Sequence, residues 1–238
     1  MESLKGKTVL VTGATGGIGA ATARLLAAGG ALVFLTGRNK AKLQALQQEL
    51  NLPADRVFAA DLSVAAEVEL LRQHFHAVFP TIEILVNAAG IGIIKPMDSL
   101  TPEEYMNTLQ ANLLVPFLLM KAFLPPMKET KKGLIINIPG VLGKVPMAGA
   151  AAYSASKYGL TGMMQSIREE LKRTDIRITN LFLGGVDSAF WDRIDLRVQR
   201  EKMIRAEEAA KAIWFLCQQP LSGVVSEMVL QPFNHQAI

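Results

Sequence analysis

Short hydrophobic runs alternate along the chain with longer segments of helical periodicity. The runs are continuously apolar rather than alternating apolar and polar, which is typical of parallel strands buried on both faces. They predict seven strands: Lys7–Thr12, Leu32–Thr36, Arg56–Ala60, Glu83–Asn87, Leu134–Ile138, Ile176–Leu183 and Val225–Leu230.

The segments between these runs have the apolar spacing of helices. A hydroxyl cap, a proline and two acids at Thr101-Pro102-Glu103-Glu104 mark one helix start, and we expect that helix to bend near Pro116 and run towards Phe123. The other predicted helices are Gly17–Ala28, Lys40–Leu50, Ala65–Val78, Ala152–Arg173 and a later one containing Ala212–Cys217.

The regular alternation of strand and helix predicts the fold class. It indicates an α/β, doubly wound Rossmann fold, with a seven-stranded parallel sheet covered by helices on both faces. No linker or repeat divides the chain, so we expect one dinucleotide-binding and catalytic domain over residues 1–238. Residues 184–206 follow the sixth strand and should cover a ligand at the carboxyl ends of the strands.

Composition narrows the possible partners. Half of the residues are hydrophobic, 19% are charged and the formal net charge is only +4, so the chain is globular and neither nucleic acid nor a membrane is an expected partner. No apolar run reaches the ~18 residues of a membrane span. One cysteine, Cys217, allows no intrachain disulfide, which favours the cytoplasm. We expect no metal.

The residues after the first strand form a glycine-rich turn, Thr12-Gly13-Ala14-Thr15-Gly16-Gly17-Ile18-Gly19. Gly13 allows a tight turn, Gly17 a close approach to a pyrophosphate, and Gly19 close packing of helix on strand. The helix that begins here offers N–H groups and a partial positive charge to phosphate. Because the turn joins a predicted strand to a predicted helix, it indicates a dinucleotide site.

Five elements of the chain resemble the short-chain dehydrogenase/reductase family. The glycine turn matches TGxxxGIG, Asn87-Ala88-Ala89-Gly90 matches NAAG, and Tyr153-Ser154-Ala155-Ser156-Lys157 matches YxxxK. Asp61 matches the family's adenine-contacting acid, and Asn112 matches the asparagine that holds a water in the proton relay. The resemblance implies that the cofactor is bound by Gly13, Thr15, Gly17, Ile18, Gly19, Asp61, Asn87, Gly90 and Lys157.

The end of the second strand indicates which nicotinamide cofactor is used. Preference for NAD normally requires an acid there, to bind the ribose 2′-hydroxyl. This chain has Gly37 followed by Arg38, and a guanidinium can bind a 2′-phosphate with two hydrogen bonds. We therefore expect NADP(H), bound through Arg38 and aided by Thr36 or Asn39.

Tyr153 and Lys157 are four residues apart, which places them on one face of the predicted helix. A nearby ammonium stabilises a phenolate, so Tyr153 can donate a proton to a carbonyl or accept one from an alcohol. We expect Tyr153, Lys157 and Asn112 to be the catalytic residues, with Lys157 also holding the nicotinamide ribose.

The chain departs from the family where a catalytic serine is expected, thirteen residues before the tyrosine. That position is Gly140, after Pro139, and the family's Pro-Gly after the sixth strand is Gly184-Gly185. The serine normally binds the substrate oxygen, and loss of one such donor costs about 10²–10³ in rate. Three interpretations stay open: a working reductase, an impaired NADP(H)-binding relative with a regulatory or scaffold role, or an artificially changed residue.

The sequence says less about substrate and assembly. Apolar residues point to a hydrophobic carbonyl or alcohol as the small-molecule substrate, in a pocket of Gly140, Val145, Phe190 and Trp191, with Val141, Met147, Ile194 and Leu196 nearby. Apolar segments Leu113–Phe123 and Leu160–Ile167 favour a homodimer or homotetramer. A nucleotide-linked methyltransferase is a weaker alternative, because it would not need Tyr153, Lys157 and Asn112 in this order.

Overall fold

A single parallel sheet of seven strands forms the centre of the computed structural model, which describes residues 2–233. The strand order is β3-β2-β1-β4-β5-β6-β9. In chain order the strands are β1 (Thr8–Thr12), β2 (Leu32–Gly37), β3 (Val57–Ala59), β4 (Ile84–Asn87), β5 (Lys132–Asn137), β6 (Asp175–Leu183), β7 (Val186–Asp187), β8 (Ile204–Arg205) and β9 (Glu227–Leu230). The predicted seven-stranded doubly wound sheet is confirmed, and the short pair β7–β8 was not predicted.

Helices cover both faces of the sheet. They are α1 (Gly17–Ala28), α2 (Lys40–Glu49), α3 (Ala65–Val78), α4 (Pro102–Leu109), α5 (Val115–Thr130), α6 (Ala151–Glu170) and α7 (Ala206–Cys217). One buried core joins α1, α2 and α7 to the sheet, and the other joins α3, α5 and α6 to the opposite face. The two cores follow from strands that are apolar on both faces, so that each needs a covering layer.

The helix predicted to end near Phe123 is longer than expected. The structure places α4, a π-helical turn (Gln110–Leu114) and α5 in one continuous helix that passes Pro125 and Pro126 and ends at Thr130. Lys131 closes it in the left-handed conformation, with φ 53°. The two prolines do not end the helix, because burial of apolar residues on both sides of them outweighs the lost hydrogen bonds.

By length and composition alone, the helix from Pro102 to Thr130 could cross a membrane. Within the fold, however, Val115, Leu119 and Phe123 of this helix are buried in the core against α3 and the sheet. A core helix of a globular domain satisfies the same length and composition test.

Candidate functional site

The glycine turn lies where β1 ends and α1 begins, and close packing explains its glycines. A Cβ atom at Gly13 would lie 2.7 Å from the backbone of Ala88, and one at Gly19 would lie 2.2 Å from the carbonyl oxygen of Gly13. No side chain caps the N-terminus of α1, so its first N–H groups face the open end of the turn. This arrangement fits an anion such as a pyrophosphate.

The turn also contacts the segment after β6. A Cβ atom at Gly17 would lie 2.8 Å from Cβ of Ser188. The space above Gly17 is therefore shared between an approaching ligand and residues 184–206, the segment expected to cover the site. Sequence reasoning did not single out Ser188, because its contact with Gly17 depends on the crossover between distant strands.

The neighbouring end of β2 holds the residues expected to discriminate between cofactors. A Cβ atom at Gly37 would lie 3.1 Å from Oγ1 and 3.3 Å from Cγ2 of Thr15, so an acid at position 37 would displace Thr15. Arg38, which follows Gly37, is exposed. The side-chain and backbone hydrogen bonds from Ser63 hold the pKa of Asp61 below its usual value, and Arg38 contributes to this shift.

Two residues expected to help Arg38 are placed differently. Thr36 is fully buried within the sheet, which excludes it from contact with a phosphate at the surface. Asn39 caps α2, and its Oδ1 accepts a hydrogen bond from the backbone N–H of Lys42. Its amide oxygen is therefore engaged in holding the helix start.

Tyr153 and Lys157 lie near the start of α6, one turn apart and facing the carboxyl ends of β5 and β6. Lys157 is 5% exposed, and its Nζ donates a hydrogen bond to the carbonyl oxygen of Ile138 at 3.1 Å. The same Nζ lies 5.4 Å from the centre of the Tyr153 ring. Burial lowers the pKa of Lys157 to about 8 and raises that of Tyr153 above its usual value.

Asn112 is buried in the π-helical turn and joins three elements. Its Oδ1 accepts from the N–H of Ile91, and its Nδ2 donates to the carbonyl oxygen of Ile91 and to Oγ of Ser156. A Cβ atom at Gly90 would lie 3.0 Å from this Oδ1 and 3.6 Å from Nζ of Lys157. The side chain of Asn112 thus holds the loop after β4 against α6.

A row of three asparagines crosses the sheet beside this cluster. Asn87, Asn137 and Asn180 are aligned in register on β4, β5 and β6 and are all at least 95% buried. Nδ2 of Asn87 donates to Oδ1 of Asn137 at 2.8 Å. Both polar atoms of the Asn180 side chain have no partner among the described residues. The sequence suggested only Asn87, because alignment across strands requires the strand order.

Gly140 lies beside Tyr153, where the family's serine was expected. A Cβ atom at Gly140 would lie 3.8 Å from Oη of Tyr153 and 3.4 Å from the carbonyl oxygen of Leu183. The backbone of Gly140 has φ 69° and ψ 168°, a conformation that residues with a side chain rarely adopt. The local loop is therefore built for glycine and is not a serine loop that has merely lost a hydroxyl.

A cavity of about 390 Å³ opens above these residues. Its lining includes Gly140, Tyr153, Phe190 and Trp191, together with Ile18 of the glycine turn. Most of the other lining residues are apolar as well; they include Ile94, Val141, Leu142, Met147, Leu183, Val186 and Met203. The site therefore combines a dinucleotide turn, a Tyr–Lys pair and an apolar cavity.

Val145 does not line this cavity, which corrects the expected pocket. Its backbone N–H donates a hydrogen bond to the carbonyl oxygen of Val141, which closes the short turn that follows β5. Ile194 and Leu196, which were also considered, are not among the lining residues either. Apolar character alone does not reveal which residues of this turn line the cavity.

Within residues 2–233 no group of three or more His, Cys, Asp or Glu side chains could hold a metal ion. Cys217 is buried on α7, and burial raises the pKa of its thiol to about 12. A thiol that stays protonated at neutral pH is a poor nucleophile.

Comparison with known proteins agrees with this geometry. The family model described as short chain dehydrogenase matches residues 7–198. An uncharacterized oxidoreductase of Staphylococcus epidermidis is 31% identical, over 98% of this chain and all of the relative. The chain belongs to the short-chain dehydrogenase/reductase family.

Two solved structures are similar over nearly the whole chain. A metagenomic short-chain oxidoreductase in complex with NADP is 34% identical, with a TM-score of 0.84, covering 98% of this chain and all of that one. An alcohol dehydrogenase from the archaeon Thermococcus sibiricus, complexed with 5-hydroxy-NADP, is 27% identical with a TM-score of 0.86 and the same coverage.

Proposed function

We propose that this chain is an NADP(H)-dependent oxidoreductase that interconverts a carbonyl and an alcohol, with Tyr153 as the acid and base. The observation that carries the proposal is the position of Lys157. Its Nζ is held by the carbonyl oxygen of Ile138, close to the ring of Tyr153, which lines an apolar cavity. A buried cation beside a phenol at the edge of a dinucleotide turn has a direct use in proton transfer.

The residues present fit NADP(H). We assign the pyrophosphate to the turn of Gly13, Thr15, Gly17, Ile18 and Gly19, and the 2′-phosphate to Arg38. The proposal is supported by the uncapped N-terminus of α1, by the crowding of Gly37 against Thr15 and by the NADP complexes among similar structures. Asp61, Asn87, Gly90 and Lys157 complete the proposed cofactor site.

NADPH, when bound, would supply the hydride for carbonyl reduction. Tyr153 donates its phenolic proton to the carbonyl oxygen as the negative charge develops there. The ammonium of Lys157 stabilises the phenolate that remains. Asn112 acts in the proposed proton relay, and its side chain also keeps the loop at Ile91 against α6. Because Gly140 has no hydroxyl, Tyr153 is the proposed donor to the substrate oxygen.

The test is NADPH oxidation with a panel of apolar aldehydes, ketones and diketones. We expect turnover that Tyr153→Phe abolishes while NADPH binding, measured by fluorescence, stays within a factor of about three. Tyr158→Phe is the matched control, since Tyr158 is an exposed tyrosine on the same helix. Turnover by the Tyr153→Phe variant would contradict the assigned role.

A second function is favoured by one observation, the glycine-specific backbone at position 140. A loop rebuilt around glycine would suit an impaired relative that binds NADP(H) as a regulator or scaffold. Such a protein would bind NADPH without oxidising it with any carbonyl in the panel, and Tyr153→Phe would leave its binding intact.

We further propose that the chain acts as one domain over residues 1–238, in the cytoplasm, as a homodimer or homotetramer. The assembly is supported by an apolar groove along α4, α5 and α6 whose borders include exposed Met106, Leu114 and Phe117. Leu160, predicted to join this face, is instead buried in the core. Phe117→Glu should dissociate the assembly, so that the molar mass measured by light scattering falls to that of a smaller species. The control is Val64→Glu, since Val64 is an exposed apolar residue on another face.

A further inference from the structure

Phe190 projects from the segment after β6 and rests with the end of its ring on Gly92, in the loop after β4. A Cβ atom at Gly92 would lie 2.1 Å from Cζ, 2.6 Å from Cε2 and 3.0 Å from Cε1 of this ring. Carbon atoms in contact are normally 3.5–4.0 Å apart. Any residue larger than glycine at position 92 would therefore displace Phe190.

The backbone at Gly92 does not itself require glycine. Its φ is not positive, unlike that of Gly140. The glycine therefore serves to leave space for the ring, and a methyl group added at this position acts on Phe190 without straining the loop. This makes the contact testable by a single small substitution.

The segment that carries Phe190 is braced at its base. The guanidinium of Arg200 forms ion pairs with Asp187 and Asp192 and donates to the carbonyl oxygen of Ser188. The indole N–H of Trp191 donates to the carbonyl oxygen of Val186. With the base held in this way, the Phe190 ring lines the cavity and contacts Gly92.

The same ring also covers Tyr153. The two rings meet edge to face with their centres 5.8 Å apart. Gly140 contributes no side chain near Tyr153, so position 140 places no atom beyond its backbone at the 3.8 Å from Oη where a Cβ would lie. Phe190 therefore limits the space beside the ring of Tyr153.

We propose that Phe190, seated on Gly92, closes the cavity over Tyr153 and determines substrate specificity. The substrate class is an apolar ketone, or the corresponding secondary alcohol, with a small substituent towards Phe190. This inference rests on the proposed oxidoreductase function for the substrate, whereas the closure by Phe190 does not depend on it.

The closure is tested without catalysis, by nitration of tyrosines with tetranitromethane and peptide mapping. Gly92→Ala and Phe190→Ala should each raise the nitration of Tyr153 several-fold relative to exposed Tyr158. The double variant should match Phe190→Ala alone, because no ring remains for the added methyl group to displace. Gly162→Ala, where a Cβ atom meets nothing within 4 Å, is the matched control and should change nothing.

Specificity is tested with acetophenone and butyrophenone in NADPH oxidation. The natural chain should favour acetophenone by about tenfold or more in kcat/KM, and Phe190→Ala should bring the ratio close to one. Unchanged nitration in Gly92→Ala, or effects that add in the double variant, would overturn the closure. An unchanged ketone ratio in Phe190→Ala would overturn the size limit. Coupled nitration without turnover by any variant would support the closure and contradict both the oxidoreductase function and the ketone assignment.

Discussion

A side chain at Gly140 would begin 3.8 Å from the hydroxyl oxygen of Tyr153. The position that usually supplies a hydroxyl in this family therefore lies where a hydroxyl would be useful, yet its backbone has φ 69°. Proximity favours a serine here and backbone conformation opposes it, and this conflict leads to the first prediction.

We predict that Gly140→Ser does not improve the enzyme. A side chain in this conformation costs about 1–3 kcal/mol, so both Gly140→Ser and Gly140→Ala should lower the free energy of unfolding, measured in urea. The alanine variant carries the strain without the hydroxyl, so the difference in kcat between the two isolates the hydroxyl. A serine variant as stable as the natural chain and more active would show that the loop can relax to the family conformation.

Arg38 should set the preference for NADPH over NADH. Removing a charged hydrogen-bonding partner of the phosphate costs about 1.5–3 kcal/mol, or roughly 10- to 150-fold in affinity. Arg38→Ala should therefore raise the Kd for NADPH by that factor and change the Kd for NADH little, as measured by fluorescence titration. Lys121→Ala, an exposed cation on α5, is the control. Equal losses for both cofactors would contradict a contact with the 2′-phosphate.

Gly37→Asp alone should not convert the chain to NAD use. Its Cβ atom would crowd Oγ1 and Cγ2 of Thr15 at 3.1 and 3.3 Å. We expect weaker binding of both cofactors, and recovery of NADH binding when Thr15→Ala is added to remove those two atoms. Strong NADH binding by the single variant would show that Thr15 yields without cost.

The buried Lys157 should make stability depend on pH. Its pKa is about 8 in the folded chain, against an ordinary value of 10.5 in the unfolded chain. Between these values the unfolded chain binds more protons, so the free energy of unfolding contributed by Lys157 rises with pH, by at most about 1.4 kcal/mol per pH unit. Below pH 8 the cost of burying the charge is fully present.

Urea unfolding at pH 7.5, 8.5 and 9.5, compared between the natural chain and Lys157→Met, measures this contribution. The natural chain should gain stability relative to the variant as pH rises, because the other titrating groups cancel in the difference. The range stops below pH 10, where an unfolded tyrosine begins to ionise. A difference that is flat or falls with pH would contradict the lowered pKa of Lys157.

The hydrogen bond between Asn87 and Asn137 should appear as coupling in a double-mutant cycle. Asn137→Leu leaves the buried Nδ2 of Asn87 without its acceptor, which costs about 1–3 kcal/mol. Replacing both asparagines with leucine should cost less than the sum of the single changes, since no unpaired partner is left. Simple additivity of the unfolding free energies would show that the pair does not interact across the strands.

Most of the cofactor turn and the Tyr–Lys pair could be predicted because their residues are close in sequence. Gly13 and Gly19 belong to one turn, and Tyr153 and Lys157 are separated by one turn of a helix, so local geometry brings them together. Val145 was predicted to line the cavity and does not, because local apolarity does not specify how the loop after β5 folds. The continuation of α5 past Pro125 and Pro126 was not predicted either, because the burial around these prolines depends on the packed fold.

The sequence by itself determined the order of strands and helices, the fold class and the dinucleotide turn, because these depend on periodicity and on neighbours along the chain. Only the tertiary structure decided that Phe190 rests on Gly92, that Asn137 lies between Asn87 and Asn180, and that Gly140 has a backbone suited to glycine alone. The physical reason is that such contacts join residues from separate crossovers, and their distances are set by how layers of helices and strands pack.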